Sequence, residues 1–448
     1  MRFFVTTGNH DPALPLGLVK KNTHFLVADG SRVTREDSCA GYVSQMECYT
    51  DFGFFPRKDD CYWESPFTSY TYDKYAYEEA CRESVLDKRT YTLCDSLTAT
   101  DASYLVEPVD GLWLLAIDGG VYLPKEMKDG KWTYQGSSAG YNLVLKHKPF
   151  LLPWVRKVVE EARKRHKTLV AFSHYPLVDF NDGVSESVHR MWGDRRFDLH
   201  RVPEAEVSEA FLQAGLRLHF AGHMHVNDTG IWEGKDGKHL YNIQVPSIAT
   251  YVPAYKILTI ESDEAFRVET VTLDTVPGFD SLFPLYRAEY QSDSLRGHSP
   301  VWNKEILSAR TYGEFCDYQF RDLVRLRFIP RDLPESWRAC LDFTGARMLE
   351  AVSGEDKSDD ADWTDWCMKD LVLDLYRLRY AERLALKDIP ETRLAAYRYL
   401  FERVRISPLR SGEVEIVNGL GTLFLAFLNG EPCQNFVIDL EKDTITGD

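Results

Sequence analysis

Thr168-Leu169-Val170-Ala171-Phe172-Ser173-His174-Tyr175-Pro176 and, one helix-length later, Leu216-Arg217-Leu218-His219-Phe220-Ala221-Gly222-His223-Met224-His225 decide the fold. Thr168 to Phe172 is a short apolar run and Leu216 to Phe220 alternates, and both end in turn-forming residues, so each reads as a strand. Between them Glu204 to Ala214 reads as a helix. Strand, helix and strand in succession, with a polar residue just past each strand, is the pattern of an open α/β sheet. Such sheets place their ligand sites beyond the carboxyl ends of their strands. The expected fold class is therefore α/β.

Upstream, Pro153 to Lys167 reads as a helix whose basic last turn suits the helix dipole. Ser103 to Val106 and Leu112 to Asp118 read as paired strands, the second apolar on both faces. Residues 12 to 100 read as a loop-rich insertion dense in tyrosine (Tyr62, Tyr70, Tyr72, Tyr75, Tyr77). Such a segment is either a lid over a site or a surface insertion with its own small core. Before it, Phe3-Phe4-Val5 reads as a short strand closing on Gly8-Asn9-His10-Asp11.

Downstream, His239 to Tyr251 and Ala254 to Leu273 read as further strands that finish a sandwich. Beyond about residue 280 the pattern becomes helical, at Glu314 to Arg327, Pro334 to Glu350, Asp362 to Leu386 and Pro390 to Arg405. Gly354 to Asp365 is acidic without the spacing of a calcium loop and reads as solvated. Gly419 to Phe427 and Asn435 to Leu440 read as closing strands. Two domains are expected: 1–280, carrying the 12–100 insertion, and a mainly α-helical 281–448.

A net charge of -16 argues against nucleic acid or an anionic membrane as the main partner. No apolar run reaches the roughly 18 residues of a transmembrane helix, and no signal peptide precedes the first motif. Nine cysteines without a CxxC pair exclude a zinc ribbon, and leave disulfides and reduced thiols both open.

Asn9, His174, His223 and His225 are neutral oxygen and nitrogen donors at strand ends, a set that suits first-row transition metals. His223 and His225, two apart in a turn, can face one cavity while Met224 points away. A lone histidine is more often a surface or core residue. His24, His147, His166, His189, His200, His219, His239 and His298 have no motif around them and receive no role.

Gly8-Asn9-His10-Asp11, Ser173-His174-Tyr175-Pro176 and Gly222-His223-Met224-His225, in that order, resemble the second half of the motif set of calcineurin-like metallophosphoesterases. The resemblance covers roughly residues 3 to 275. It implies an (incomplete) four-layer α/β/β/α sandwich holding two divalent metal ions (Mn, Fe, Zn, Ni or Co). Asn9, His174 and His223 would bind one metal and His225 the other. His10 would protonate the leaving alkoxide or stabilise the transferring phosphoryl group, with Asp11 orienting its imidazole. The implied reaction is metal-dependent hydrolysis of a phosphomonoester or phosphodiester, with a nucleotide or a phospholipid head group as possible substrate.

The aromatic insertion and Val226-Asn227-Asp228 resemble exported branches akin to sphingomyelinases and purple acid phosphatases, so an exported or periplasmic location is expected of the full-length protein. The family's Asp-x-His and Gly-Asp-x-x-Asp motifs have no counterpart before Gly8. Without them the chain is expected to be N-terminally truncated, to hold at most one metal weakly, and to be impaired. The alternative is a degenerate, non-catalytic phosphoesterase fold acting as a binding module. Nothing in the sequence indicates an oligomeric state.

Overall fold

The computed structural model describes residues 2–9, 25–26, 32–33, 42–94, 97–128, 131–135, 140–295, 297, 302–409 and 411–447. Its main sheet has seven strands: β1 Tyr62–Glu64, β2 Tyr104–Val109, β3 Leu112–Ala116, β4 Thr168–Ser173, β5 Leu218–Ala221, β6 Asp228–Glu233 and β7 His239–Gln244. They lie in the order β6-β7-β5-β4-β3-β2-β1. The central strands β3, β4, β5 and β7 run parallel, and the flanking pairs are antiparallel. Phe172 pairs with Ala116 and with Phe220, so β3, β4 and β5 end level. The residues that follow them, Asp118, His174 and His223, leave the sheet at one edge.

Helices α1 (Leu151–Lys164) and α2 (Ala205–Gln213) cover one face, burying Trp154, Val155, Val158, Val207 and Phe211 in one core with Trp113, Leu115 and Ala171. The other face meets a four-stranded antiparallel sheet of β8 Ala254–Ile260, β9 Ala265–Thr272, β10 Asn435–Asp439 and β11 Thr444–Gly447. Val170, Leu218 and Ile243 pack there against Phe266, Val268, Phe436 and Ile438. Helix, sheet and sheet thus stack as three layers. Tyr255 and Ile257, on the far face of the second sheet, are exposed.

The helical region contains α3 Tyr312–Leu323, α4 Gly345–Ser353, α5 Met368–Ala381, α6 Glu391–Ile406 and α7 Gly412–Leu428. It shares one apolar core with Phe180, Val188, Met224 and Tyr251 from the loops of the main sheet. No described helix is long and apolar enough to cross a membrane.

Several expectations need correction. Gly419 to Phe427 is not a strand but the body of α7, whose N-cap Ser411 accepts from the Val414 amide. Gly419 and Gly421 let Trp337 and Phe401 approach the helix closely: a Cβ would sit 2.8 Å from Trp337 and 2.7 Å from Phe401. The expected helix at 334–350 is two, because Thr344 caps a new start by accepting from the Arg347 amide. The helix expected at 362–386 is likewise interrupted, with the 365–367 stretch separating Ala361–Thr364 from α5.

Phe3-Phe4-Val5 forms no strand. Val5 donates one backbone bond to Phe52 (3.0 Å) and its carbonyl accepts from the Tyr104 hydroxyl (2.8 Å). The tyrosine-rich segment supplies the edge strand β1, and Tyr62, Tyr70, Tyr72 and Tyr75 pack around one another, with Tyr62 stacked on Trp113 at 5.9 Å. The eight described cysteines are free thiols.

Candidate metal centre

Three polar atoms from distant parts of the chain converge at the level strand ends. His174 Nε2 lies 2.7 Å from Asn9 Oδ1 and 3.0 Å from His223 Nδ1, and His223 Nδ1 lies 3.2 Å from Asn9 Oδ1. One proton on His174 Nε2 can satisfy its contact to Asn9 or to His223. A cation satisfies all three atoms at once. A point about 2.1 Å from each, the usual distance of a divalent metal from imidazole nitrogen or oxygen, exists just off their plane. Asn9, His174 and His223 therefore fit a single first-row divalent ion. Among the described residues no carboxylate comes within 4.8 Å of both imidazole nitrogens.

Each donor is delivered by its element. His174 is the first residue past β4. His223 and His225 adopt the left-handed conformation, φ 66° and 59°, in a tight turn where the Met224 amide donates to the Gly222 carbonyl. That conformation costs a non-glycine residue on the order of 1–2 kcal/mol, so two within three residues mark an imposed geometry. Met224 is buried in the core shared with the helical region, which turns His223 to the other side. His223 is buried and His225 exposed. His10 and Asp11 lie outside the described residues.

A second layer fixes the imidazoles. Buried Tyr175 stands edge-on to both, its ring centroid 4.9 Å from His174 and 4.8 Å from His223. Gly140, at φ 52°, makes room for Tyr175: a Cβ there would sit 2.4 Å from the ring. Gly8 lies over the His174 ring, where a Cβ would come within 2.9 Å of His174 Nδ1. Beneath them His219 is wholly buried, 3.0 Å from Ser173 Oγ and 2.8 Å from Asn242 Oδ1. Burial pushes its pKa down to about 4, against the hydrogen bond to Asn242, so the ring is neutral near pH 7.

Asp118 occupies the end of β3, with Thr7 donating to its carboxylate at 3.4 Å. Its charge is met by buried Lys148, 2.8 Å from both Asp118 and Asp101. Burial opposes the Lys148 charge, but the two carboxylates outweigh it and raise its pKa. This buried triad braces the loop leading to Asn9.

Sequence reasoning named Asn9, His174, His223 and His225 and gave His219 no role. It missed Gly8, Gly140, Tyr175, Lys148 and Asp118 as supports. Tyr175 carried a signal, an aromatic residue directly after a strand-end histidine. Lys148 carried none, since a lysine before Pro149 reads as surface. No protein-family model matches the chain, and no curated protein matches it.

Proposed function

We propose that the chain is a metal-dependent phosphoesterase built on a metallophosphoesterase sandwich. The observation that carries this reading is the convergence of Asn9 Oδ1, His174 Nε2 and His223 Nδ1 within 3.2 Å of one another. The level ends of β3, β4 and β5, and the two facing sheets, are consistent with it.

A divalent cation bound by these three atoms supplies Lewis acidity toward a phosphoryl oxygen and lowers the pKa of water. The chain's own residues do the rest. Asn9 fixes the donor triangle through its amide oxygen, and Tyr175 holds both imidazoles edge-on so that their nitrogens face the same point. The role of His10, the residue after Asn9 in sequence, is in this reading to protonate the leaving alkoxide, oriented by Asp11. His225 is assigned to a second ion. Tyr62, Tyr70 and Tyr72 pack in the core of the main sheet and are not assigned to the substrate.

His223→Ala is expected to lower metal-dependent hydrolysis of bis-p-nitrophenyl phosphate by at least a hundredfold at unchanged helical content. Retained activity would overturn the assignment. The neutral donor set, without a described carboxylate, favours a second reading, a binding module on the same fold. A wild-type chain that binds Mn2+ but turns over no phosphoester would select it.

A further inference from the structure

We propose a second cation site, of a different chemical kind, formed by Asp182, Asp228 and Glu382. One carboxylate oxygen from each lies within 4.8 Å of the others. Asp228 and Glu382 are almost wholly buried, at 2 % and 3 % exposure. Asp228 opens β6, Asp182 lies in the loop after His174, and Glu382 ends α5 in the helical region. The proposal does not depend on the phosphoesterase reading.

Two observations separate this cluster from an ordinary acidic patch. Neither carboxylate oxygen of Asp228 has a donor in good hydrogen-bond geometry, its contacts being a poorly aligned Thr229 amide and the neighbouring Glu382 carboxyl, and Asp182 Oδ2 and Glu382 Oε1 likewise have none. Buried polar atoms in folded proteins are rarely left so, because an unmet polar group loses its hydration without recompense. Independently, Gln244 stands opposite Asp228 in the β6–β7 register, so the two side chains share a face. Gln244 is fully buried, and neither its amide oxygen nor its nitrogen has a partner.

The nearest buried cation does not answer the need. Lys256 Nζ donates to Asn227 Oδ1, the Cys433 carbonyl and Thr270 Oγ1, at 2.7, 2.7 and 2.9 Å, which uses its three protons. The Cys433 thiol donates to Glu382 Oε2 at 3.0 Å, which leaves Oε1 unmet.

The donors are all oxygens, which selects a hard ion over zinc or iron. The oxygens lie within 4.8 Å of one another, a separation that a single calcium ion can bridge with Ca–O distances of roughly 2.4 Å. Four carboxylate oxygens, the Gln244 carbonyl and water would complete calcium's shell. A cavity of about 520 Å3 lined by Asp182, Asp228 and Glu431 gives the ion a path from solvent. Gly430 keeps that path open, since a Cβ there would sit 2.7 Å from Asp182. A bound ion would tie the loop after His174 and the start of β6 to the end of α5.

Equilibrium dialysis of the full chain against calcium tests this. One calcium per chain is expected, held at least tenfold more weakly in Asp182→Asn and in Glu382→Gln, and unchanged in His174→Ala. Calcium should also raise the Tm of the wild type. Asp182 is half-buried at the cavity, so its variant keeps the test valid if Glu382→Gln does not fold. No calcium binding by the wild type would overturn the proposal. So would binding that survives both carboxylate variants, or binding lost only in His174→Ala.

Discussion

His174 carries the account at the scale of single residues, because one nitrogen of its ring meets both other donors. Its ring is pinned between Gly8 and Tyr175. Gly8→Ala should therefore displace the imidazole and weaken Mn2+ binding at least tenfold, with the circular dichroism spectrum unchanged; isothermal titration showing wild-type affinity would refute the pinning. His219 makes a pH prediction. Its folded pKa, about 4, lies below the usual 6.5, so between those values the unfolded chain binds the extra proton. The neutral ring's contribution is full above pH 6.5 and is lost as pH falls toward 4, by roughly 3 kcal/mol in all. The stability gap between wild type and His219→Gln should narrow across that window in urea titrations; a gap that widens would show the ring charged in the fold. His174 and His223 were legible because each follows a strand-end signal, and Asn9 because it stands in Gly8-Asn9-His10-Asp11, although the strand expected before it does not form. Gly8, Gly140, Tyr175 and Lys148 were not, because their roles exist only across contacts between distant parts of the chain.

Among the elements, the strands that position the site were the readable ones. β3 and β4 are short apolar runs and β5 an alternating one, all bounded by turn-formers, and only their exact ends shifted. β6 went unread because Asp228 and Gly230 interrupt any alternation and it follows the histidine turn without a break. α7 was misread for a physical reason. It is packed on most of its surface, so its apolar residues show no helical period, and its two glycines resembled breaks. Those glycines are contact points instead. Gly421→Val should push against Phe401 and cost about 1–3 kcal/mol, despite valine's better helix propensity. Guanidinium unfolding within 0.5 kcal/mol of wild type would show that Phe401 yields without strain.

Taken whole, the molecule is more interleaved than its sequence suggests. A change of texture near residue 280 reads as a boundary, yet β10 and β11, at the far end of the chain, complete the second sheet beside β9. Met224, between the two histidines of the turn, is buried in the same core as the helical region. The C-terminal region thus bears on the geometry of His223 through packing, which no local pattern could announce. The central claim is that this packing holds three neutral donors on one ion. Titration of the full chain with Co2+, followed by its visible absorption bands, tests it most directly. One equivalent should bind with bands characteristic of nitrogen and oxygen ligands, and Asn9→Ala and His223→Ala should each abolish or shift them. Absence of such bands, or bands indifferent to both replacements, would contradict the account.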